Sequence, residues 1–158
     1  MGVHSVRRES LVATIKALIG GRSRSKTKGE AMAEIRISNV EALGKPIGPY
    51  SHVARVKGGE TLYIAGMVAP GETFEAQCAA VYAQIEQALK SAGGGWRDVV
   101  QFTTFLVHSQ DIAKFYKWRE QNYPKMFADG KYPPNTLLVI DRLVQEQFLI
   151  EIQTIAVV

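Results

Sequence analysis

The sequence predicts an α+β domain in which two helices cover one face of a mixed six-stranded sheet. Apolar residues recur at helical spacing over residues 74–89 and again after Asp111, whereas the segments around them have the character of strands. The predicted order of elements is strand, two strands, helix, strand, helix, two strands. All of them fall within residues 32–158, which we therefore interpret as a single domain.

The first three strands are predicted from alternation and from turn residues. Residues 34–38 alternate apolar and polar side chains, as a half-buried strand does. A loop with two prolines and two glycines follows at 44–49. Residues 52–56 and 61–65 flank Lys57-Gly58-Gly59-Glu60, and this arrangement predicts a hairpin.

Both helices are predicted from one-sided apolar stripes. The first helix carries its stripe at Phe74, Cys78, Val81, Tyr82, Ile85 and Leu89. Gln77 faces elsewhere in this prediction, and the three glycines at 93–95 end the helix. Asp111 is a candidate cap for the second helix, whose apolar face includes Phe115 and Tyr123.

Three further strands are predicted at residues 99–107, 135–140 and 148–157. With both helices on one face, the other face of the sheet needs a cover. Self-association is the simplest way to provide one.

The charge of the chain is unevenly distributed. Residues 1–31 hold seven basic and two acidic residues, whereas residues 32–158 hold 12 basic and 13 acidic residues, a net charge of −1. A folded domain without basic bias is a poor candidate for a nucleic-acid surface. Only the basic tail offers an electrostatic contact with RNA.

Residues 1–31 are interpreted as a basic, disordered extension, because the run from Arg22 to Lys28 has nothing to bury. Two alternatives remain open. Apolar residues at helical spacing over 11–19 would suit a short amphipathic helix for a membrane surface or an organelle import receptor. Alternatively, the domain starts at Met32. The absence of a long apolar run or a secretory signal pattern favours a cytoplasmic protein.

Several kinds of site are disfavoured by the composition. The single cysteine, Cys78, allows no intrachain disulfide, and its place on the apolar stripe indicates a buried, unreactive thiol. His4, His52 and His108 have no paired ligand spacing, so no metal site is expected.

Five separated blocks of this chain resemble the RidA (YjgF-like) family of reactive-intermediate deaminases. They are Gly48-Pro49-Tyr50-Ser51, Ala65-Gly66, Ala92-Gly93, Asp98-Val99-Val100 with Thr103-Thr104, and Ile150-Glu151-Ile152-Gln153. The resemblance covers about residues 35–158. It implies a chorismate-mutase-like fold and a homotrimer whose sheets form a barrel with clefts between subunits. In the deaminases these clefts hydrolyse enamines and imines to 2-oxo acids and ammonia, without a metal or an organic cofactor.

The resemblance also supplies candidate site residues. Glu151 matches the carboxylate that holds the attacking water, a role that suits a general base. Gly66, preceded by Ala65, offers a backbone N–H to a ligand oxygen at close approach. Tyr50 supplies a phenol and a flat wall at the mouth of the cleft.

Asn135 departs from the family pattern, because deaminating members have an arginine there that binds the substrate carboxylate. Asparagine lacks the charged fork of arginine, a loss that costs about one to two decades of affinity. Leu137, two residues further and on the same strand face, makes the pocket more apolar. We expect Arg119 to be solvated on the second helix. For Arg142, in the loop after the fifth strand, a surface position is favoured over the alternative, in which it reaches a neighbouring cleft and replaces the missing arginine.

Two functions are consistent with this pattern. The first is a hydrolase that deaminates small enamines, imines or related C–N compounds, with an altered substrate preference. The second is a non-catalytic trimer that binds a small metabolite or acts as a chaperone-like or translation-inhibitory protein. The retained Glu151 favours the first function, and the neutral Asn135 favours the second.

Overall fold

The computed structural model describes residues 32–158 and confirms the α+β class. Its strands are β1 (Glu34–Ser38), β2 (Val53–Lys57), β3 (Thr61–Met67), β4 (Val99–Leu106), β5 (Asn135–Val139) and β6 (Ile150–Val157). Its helices are α1 (Phe74–Ser91) and α2 (Asp111–Met126), with short 3-10 turns at Glu41–Leu43 and Trp96–Asp98. The predicted extension at 1–31, with its possible amphipathic helix, lies outside the described residues.

The prediction of one six-stranded sheet is wrong in its connectivity. The strands form a four-stranded sheet in the order β3-β6-β4-β5 and a separate antiparallel pair of β1 with β2. Within the larger sheet, β4 and β5 run parallel, whereas β6 is antiparallel to both β3 and β4. Neither helix of the described region is long and apolar enough to cross a membrane.

The predicted hairpin between β2 and β3 does not form, because each strand pairs elsewhere. Gly58 and Gly59 have φ values of 72° and 81°, which turn the chain sharply at this point. Immediately afterwards, Glu60 exchanges two backbone hydrogen bonds with Val158, at 2.7 and 3.0 Å. This exchange aligns β3 with β6, while β2 remains paired with β1.

The α1 helix begins and ends at the expected signals. Its N-cap is Thr73, whose hydroxyl oxygen accepts a hydrogen bond from the Ala76 N–H at 3.1 Å. At its end, Gly93 has a φ of 79°, and Gly94 donates to the Leu89 carbonyl oxygen at 2.9 Å. The second bond, from Gly93 N–H to Lys90 O, completes a Schellman motif. Glycine at this position avoids the cost that a side chain pays for positive φ.

The core lies between the two helices and one face of the four-stranded sheet. Its fully buried members include Val81 and Ile85 of α1, Phe115 of α2, Phe102 of β4 and Ile152 of β6. An aromatic cluster centres on Tyr82, whose ring stacks on Trp118 at 4.7 Å. The opposite face of the sheet has no helix over it in the described region.

Two polar side chains predicted to face away from the core are buried. Gln77 is 2% exposed and joins α1 to the segment before β6: its amide donates to Gln147 O, and its oxygen accepts from Leu149 N–H, both at 2.8 Å. Arg119 is 1% exposed, which contradicts the expectation of a solvated side chain. Its guanidinium packs over the rings of Phe115 and Tyr116, at 4.5 and 4.7 Å. Helical periodicity alone did not indicate these burials.

Candidate functional site

A β-bulge in β3 creates the local geometry of the candidate site. Ile64 pairs with Thr154 and Met67 pairs with Ile152, so Ala65 and Gly66 together oppose the single residue Gln153. A two-against-one arrangement of this kind bends the strand and changes the direction of its side chains. The bulge keeps Ile64 and Met67 packed against the core. The two residues of the bulge are both exposed.

Glu151 lies beside this bulge on the open face of the sheet. Its neighbour Ile152 is fully buried, so the alternation of β6 turns the Glu151 side chain to the other face. A Cβ atom built on Gly66 would overlap the Glu151 Oε1 atom. The structure therefore brings Gly66 and Glu151 into direct contact, and this contact is possible only because residue 66 has no side chain.

An apolar surface continues from this carboxylate across the sheet. Phe105 of β4 pairs with Glu151 on one side and with Leu138 of β5 on the other. Leu138 is 40% exposed, and Phe105 is partly exposed. The carboxylate is thus half-buried between a glycine bulge and a phenyl ring. The family motifs did not include Phe105. Its position on β4 between Thr104 and Leu106, which are both buried, places its side chain on the opposite face of the sheet.

Asn135 and Leu137 do not share this face. The Thr104 hydroxyl, which is fully buried, donates to Asn135 Oδ1 at 2.8 Å. Leu137 pairs with Thr104 in the parallel ladder and packs against the core. These two residues therefore lie on the helix-covered face of the sheet, while Glu151 and Gly66 lie on the open face. Sequence spacing correctly put Asn135 and Leu137 on one face but did not show that this face differs from that of Glu151.

Tyr50 belongs to a third location, the loop that precedes β2. Its ring lies edge-on to His52 at 6.3 Å. The loop is fastened by His52, whose Nδ1 accepts the Val40 N–H and whose own N–H donates to Asn39 Oδ1, both at 3.1 Å. Gly48, at the start of the signature, lies directly against the Tyr116 ring of α2. The signature loop is thus packed against the helix layer.

Neither Cys78 nor Arg142 lies in an environment that favours catalysis or ligand binding. Burial raises the pKa of the Cys78 thiol to about 12, with Glu75 and Asp111 adding to the shift, so the thiolate nucleophile is disfavoured. Arg142 is largely exposed and forms an ion pair with Glu146 at 3.2 Å, as expected for a surface loop. Within residues 32–158, no group of three or more His, Cys, Asp or Glu side chains is placed to hold a metal.

The candidate site thus consists of one carboxylate, Glu151, held against a glycine bulge on the open face of an α+β domain. Residues 40–158 match the family model described as Endoribonuclease L-PSP. The chain belongs to this family, which includes the Rid and YjgF proteins.

Individual relatives support the same assignment. The RutC family protein slr0709 of Synechocystis is 30% identical over 121 residues, covering 71% of this chain and 88% of that protein. YyfB of Yersinia pestis, described as a Rid family protein of unknown function, is 29% identical with a TM-score of 0.67. That match covers 78% of this chain and 98% of YyfB. RidA from an Antarctic Psychrobacter is 27% identical with a TM-score of 0.56, covering 72% and 92%.

Proposed function

We propose that this protein is a RidA-like hydrolase that converts small imines or enamines into carbonyl compounds and ammonia. The observation that carries the proposal is the Glu151 carboxylate held against Gly66 on the open face of the sheet. A half-buried carboxylate beside a backbone N–H donor provides both a proton acceptor and a ligand anchor. In the proposal this face closes against neighbouring subunits of a trimer, so that the reaction takes place in a cleft between them.

The proposed reaction needs only water as a co-reactant. Water adds to the imine carbon while the Glu151 carboxylate takes one of its protons. The proton passes to the substrate nitrogen and gives a carbinolamine. Glu151 then transfers the proton of the carbinolamine hydroxyl to the amine nitrogen, the C–N bond breaks, and ammonia leaves as the carbonyl group forms. Gly66 N–H serves as a donor to a substrate oxygen, and Phe105 provides an apolar wall beside the reacting carbon.

The proposed substrate differs from a small anionic imine acid. Asn135 carries no charge, and its amide oxygen already accepts the Thr104 hydroxyl at 2.8 Å. A carboxylate-bearing substrate therefore lacks the bidentate cation that arginine would provide. Phe105 and Leu138 on the open face favour a more apolar substrate.

The test is 2-oxo acid and ammonia release from 2-iminobutyrate and 2-iminopropionate generated in situ. We would compare wild type with Glu151→Gln and Asn135→Arg. Release by wild type well above that by Glu151→Gln supports the proposed hydrolase and overturns the altered substrate preference, because another group must then bind the carboxylate. If wild type is silent and Asn135→Arg is active, the scaffold is competent but its natural substrate is different. If Glu151→Gln and wild type have equal rates, Glu151 is not the base and the proposal fails.

A non-catalytic metabolite-binding trimer is the second candidate, and the neutral environment of Asn135 favours it. It predicts stabilisation of the protein by a metabolite without turnover. Ribonuclease activity, suggested by the name of the family model, is disfavoured because residues 32–158 have a net charge of −1. RNA binding that disappears on removal of residues 1–31 would assign that interaction to the tail.

A further inference from the structure

A cavity of about 350 Å³ lies at the end of the sheet opposite to Glu151. It is enclosed by β1, by the turn that leads into β4, and by the segment that follows α2. Its lining residues are Ile35, Ile37, Trp96, Arg97, Val99, Met126, Phe127, Ala128, Asp129 and Lys131. The volume falls within the range of small-molecule sites, about 300–1,000 Å³.

The cavity is distinct from the candidate deaminase site. Val99 lies at one end of β4 and pairs with Ala156, whereas Glu151 pairs with Phe105 six residues further along. At about 3.4 Å per residue, the two positions are about 20 Å apart. Val99 is also buried in the core, while Glu151 is on the open face. A ligand in the cavity would not contact Glu151.

The inner part of the cavity is apolar and aromatic. Trp96 and Phe127 contact each other edge to face, with ring centroids 6.1 Å apart and an interplanar angle of 61°, and together they form one wall. Ile35 and Ile37 come from the same face of β1 and form the other wall. Flat or branched apolar groups are the natural occupants of a space bounded by two rings and two isoleucines.

The rim of the cavity carries two cationic side chains, Arg97 and Lys131. Arg97 is 87% exposed and forms a long ion pair with Asp98 at 3.6 Å, and Asp98 also accepts the Gly95 N–H through its other oxygen. Asp129 accepts the Lys131 backbone N–H at 3.1 Å. Asp129 is thus engaged by the backbone, and Asp98 is shared between Arg97 and the backbone. The lining residues, which do not include Asp98, have a net charge of +1.

We propose that this cavity binds a small monocarboxylate with a flat apolar body, such as an aryl-substituted acid. The apolar part packs against the Trp96–Phe127 pair and faces Ile35 and Ile37, and the carboxylate meets Arg97 and Lys131 at the rim. The site is independent of the proposed deaminase reaction, so either one can fail without the other.

Trp96 makes the proposal directly measurable. The chain has two tryptophans, and Trp118 is buried in the aromatic cluster, so Trp118→Phe leaves Trp96 as the sole indole. Phenylacetate should produce a saturable change in Trp96 emission. Benzylamine, which has the opposite charge, should bind at least tenfold more weakly. Calorimetric titration of the wild-type protein with the same two compounds covers the case in which Trp118→Phe fails to fold.

Variants separate the charge from the apolar cavity. Replacing Arg97 and Lys131 together with Gln should weaken phenylacetate about tenfold and leave neutral benzyl alcohol unchanged. Lys117→Gln is the matched control, since this exposed lysine lies nine residues before Met126 on α2, about 13 Å along the helix. Ala128→Phe, at an exposed position of the rim, should fill the opening and abolish the binding of phenylacetate and of benzyl alcohol.

Three outcomes would overturn the proposal. The first is the absence of any saturable response to phenylacetate up to its solubility limit. The second is equal binding of phenylacetate and benzylamine, which removes the role of the cationic rim. The third is a change in Trp96 emission that follows protein concentration and ignores phenylacetate, which would assign the cavity to a contact with a second copy of the chain.

Discussion

Glu151 occupies the space above Gly66 that a side chain at residue 66 would fill. The contact joins two adjacent strands at the β3 bulge, and it fixes the direction of the only carboxylate that the family resemblance nominates as a base. Position 66 therefore controls the placement of Glu151 as well as access to its own N–H.

Gly66→Ala should displace the Glu151 carboxylate, because the added methyl group and Oε1 cannot occupy the same space. If the protein is a deaminase, we expect both Gly66→Ala and Glu151→Gln to lose about 100-fold or more in turnover. The measurement is ammonia release together with the melting temperature. Gly95→Ala is the control, because a Cβ atom at Gly95 would meet no other atom within 4 Å. A crystal structure of Gly66→Ala with an unmoved Glu151 carboxylate would contradict the prediction.

Arg119→Met should leave the protein as stable as wild type or make it more stable. The Arg119 Nε and Nη1 atoms are buried without a hydrogen-bond partner, and each unpaired group costs about 1–3 kcal/mol. The contacts of the guanidinium with the aromatic rings stabilise the fold by about 2 kcal/mol, which offsets part of that cost. Methionine keeps much of the packing volume and removes the buried charge. Urea denaturation checks this result.

Arg119→Ala is the companion variant, because it removes the charge and also leaves a cavity. It should cost about 2–5 kcal/mol. If Arg119→Met were as destabilising as Arg119→Ala, the guanidinium would have a stabilising partner that the packing does not reveal.

Alkaline pH should destabilise the fold through three buried groups. Burial raises the pKa of Cys78 from 9.0 to about 12, and it raises the pKa values of Tyr82 and Tyr123 above 10.0. In each case the folded state retains the proton that the unfolded chain releases. Stability is therefore fully present below pH 9 and falls above it, first through Cys78 and then, above pH 10, through the tyrosines.

The slope of the free energy of unfolding against pH shows how much of the alkaline destabilisation each group causes. One such group lowers the free energy of unfolding by about 1.4 kcal/mol per pH unit within its window. Urea denaturation between pH 8 and pH 11 should show a flatter first phase for Cys78→Ala. Tyr82→Phe should flatten the phase above pH 10, since the Tyr82 and Tyr123 hydroxyls are only 2.7 Å apart. If the pH dependence of the free energy of unfolding were the same in Cys78→Ala as in wild type, the Cys78 thiol would not contribute to the alkaline destabilisation.

Gln77→Leu should destabilise the protein although leucine suits a buried helix position. It would leave the partly buried Leu149 N–H and Gln147 O without their partner, at about 1–3 kcal/mol in total. The denaturation midpoint should fall accordingly. Gln87→Leu, at an exposed position of the same helix, is the matched control and should change stability by less than about 0.5 kcal/mol. Equal effects of the two variants would show that the Gln77 contacts contribute nothing.

Much of the architecture was predictable because its signals are local. The α1 helix follows from the spacing of its apolar residues, and the Schellman motif follows from consecutive glycines. The strand positions follow from alternation and from turn residues. The bulge was readable in principle, since a small residue and a glycine within a strand pattern are typical of one.

The candidate site was less predictable, because it depends on which faces the strands present to one another. The motifs nominated Glu151, Gly66, Asn135 and Leu137 together, but they lie on two faces of the sheet. Only the pairing of Leu137 with Thr104, and of Glu151 with Phe105, separates them. Register between strands distant in sequence cannot be read from either strand alone.

The sequence by itself determined the α+β class, the family and the absence of an arginine at position 135. These depend on residue identity and short-range periodicity, which a single chain displays directly. The tertiary structure alone decided the division into two sheets, the burial of Arg119 and Gln77, and the contact between Gly66 and Glu151. Each of these arises where distant segments compete for the same partner or the same space, and that competition is resolved only when the whole chain packs.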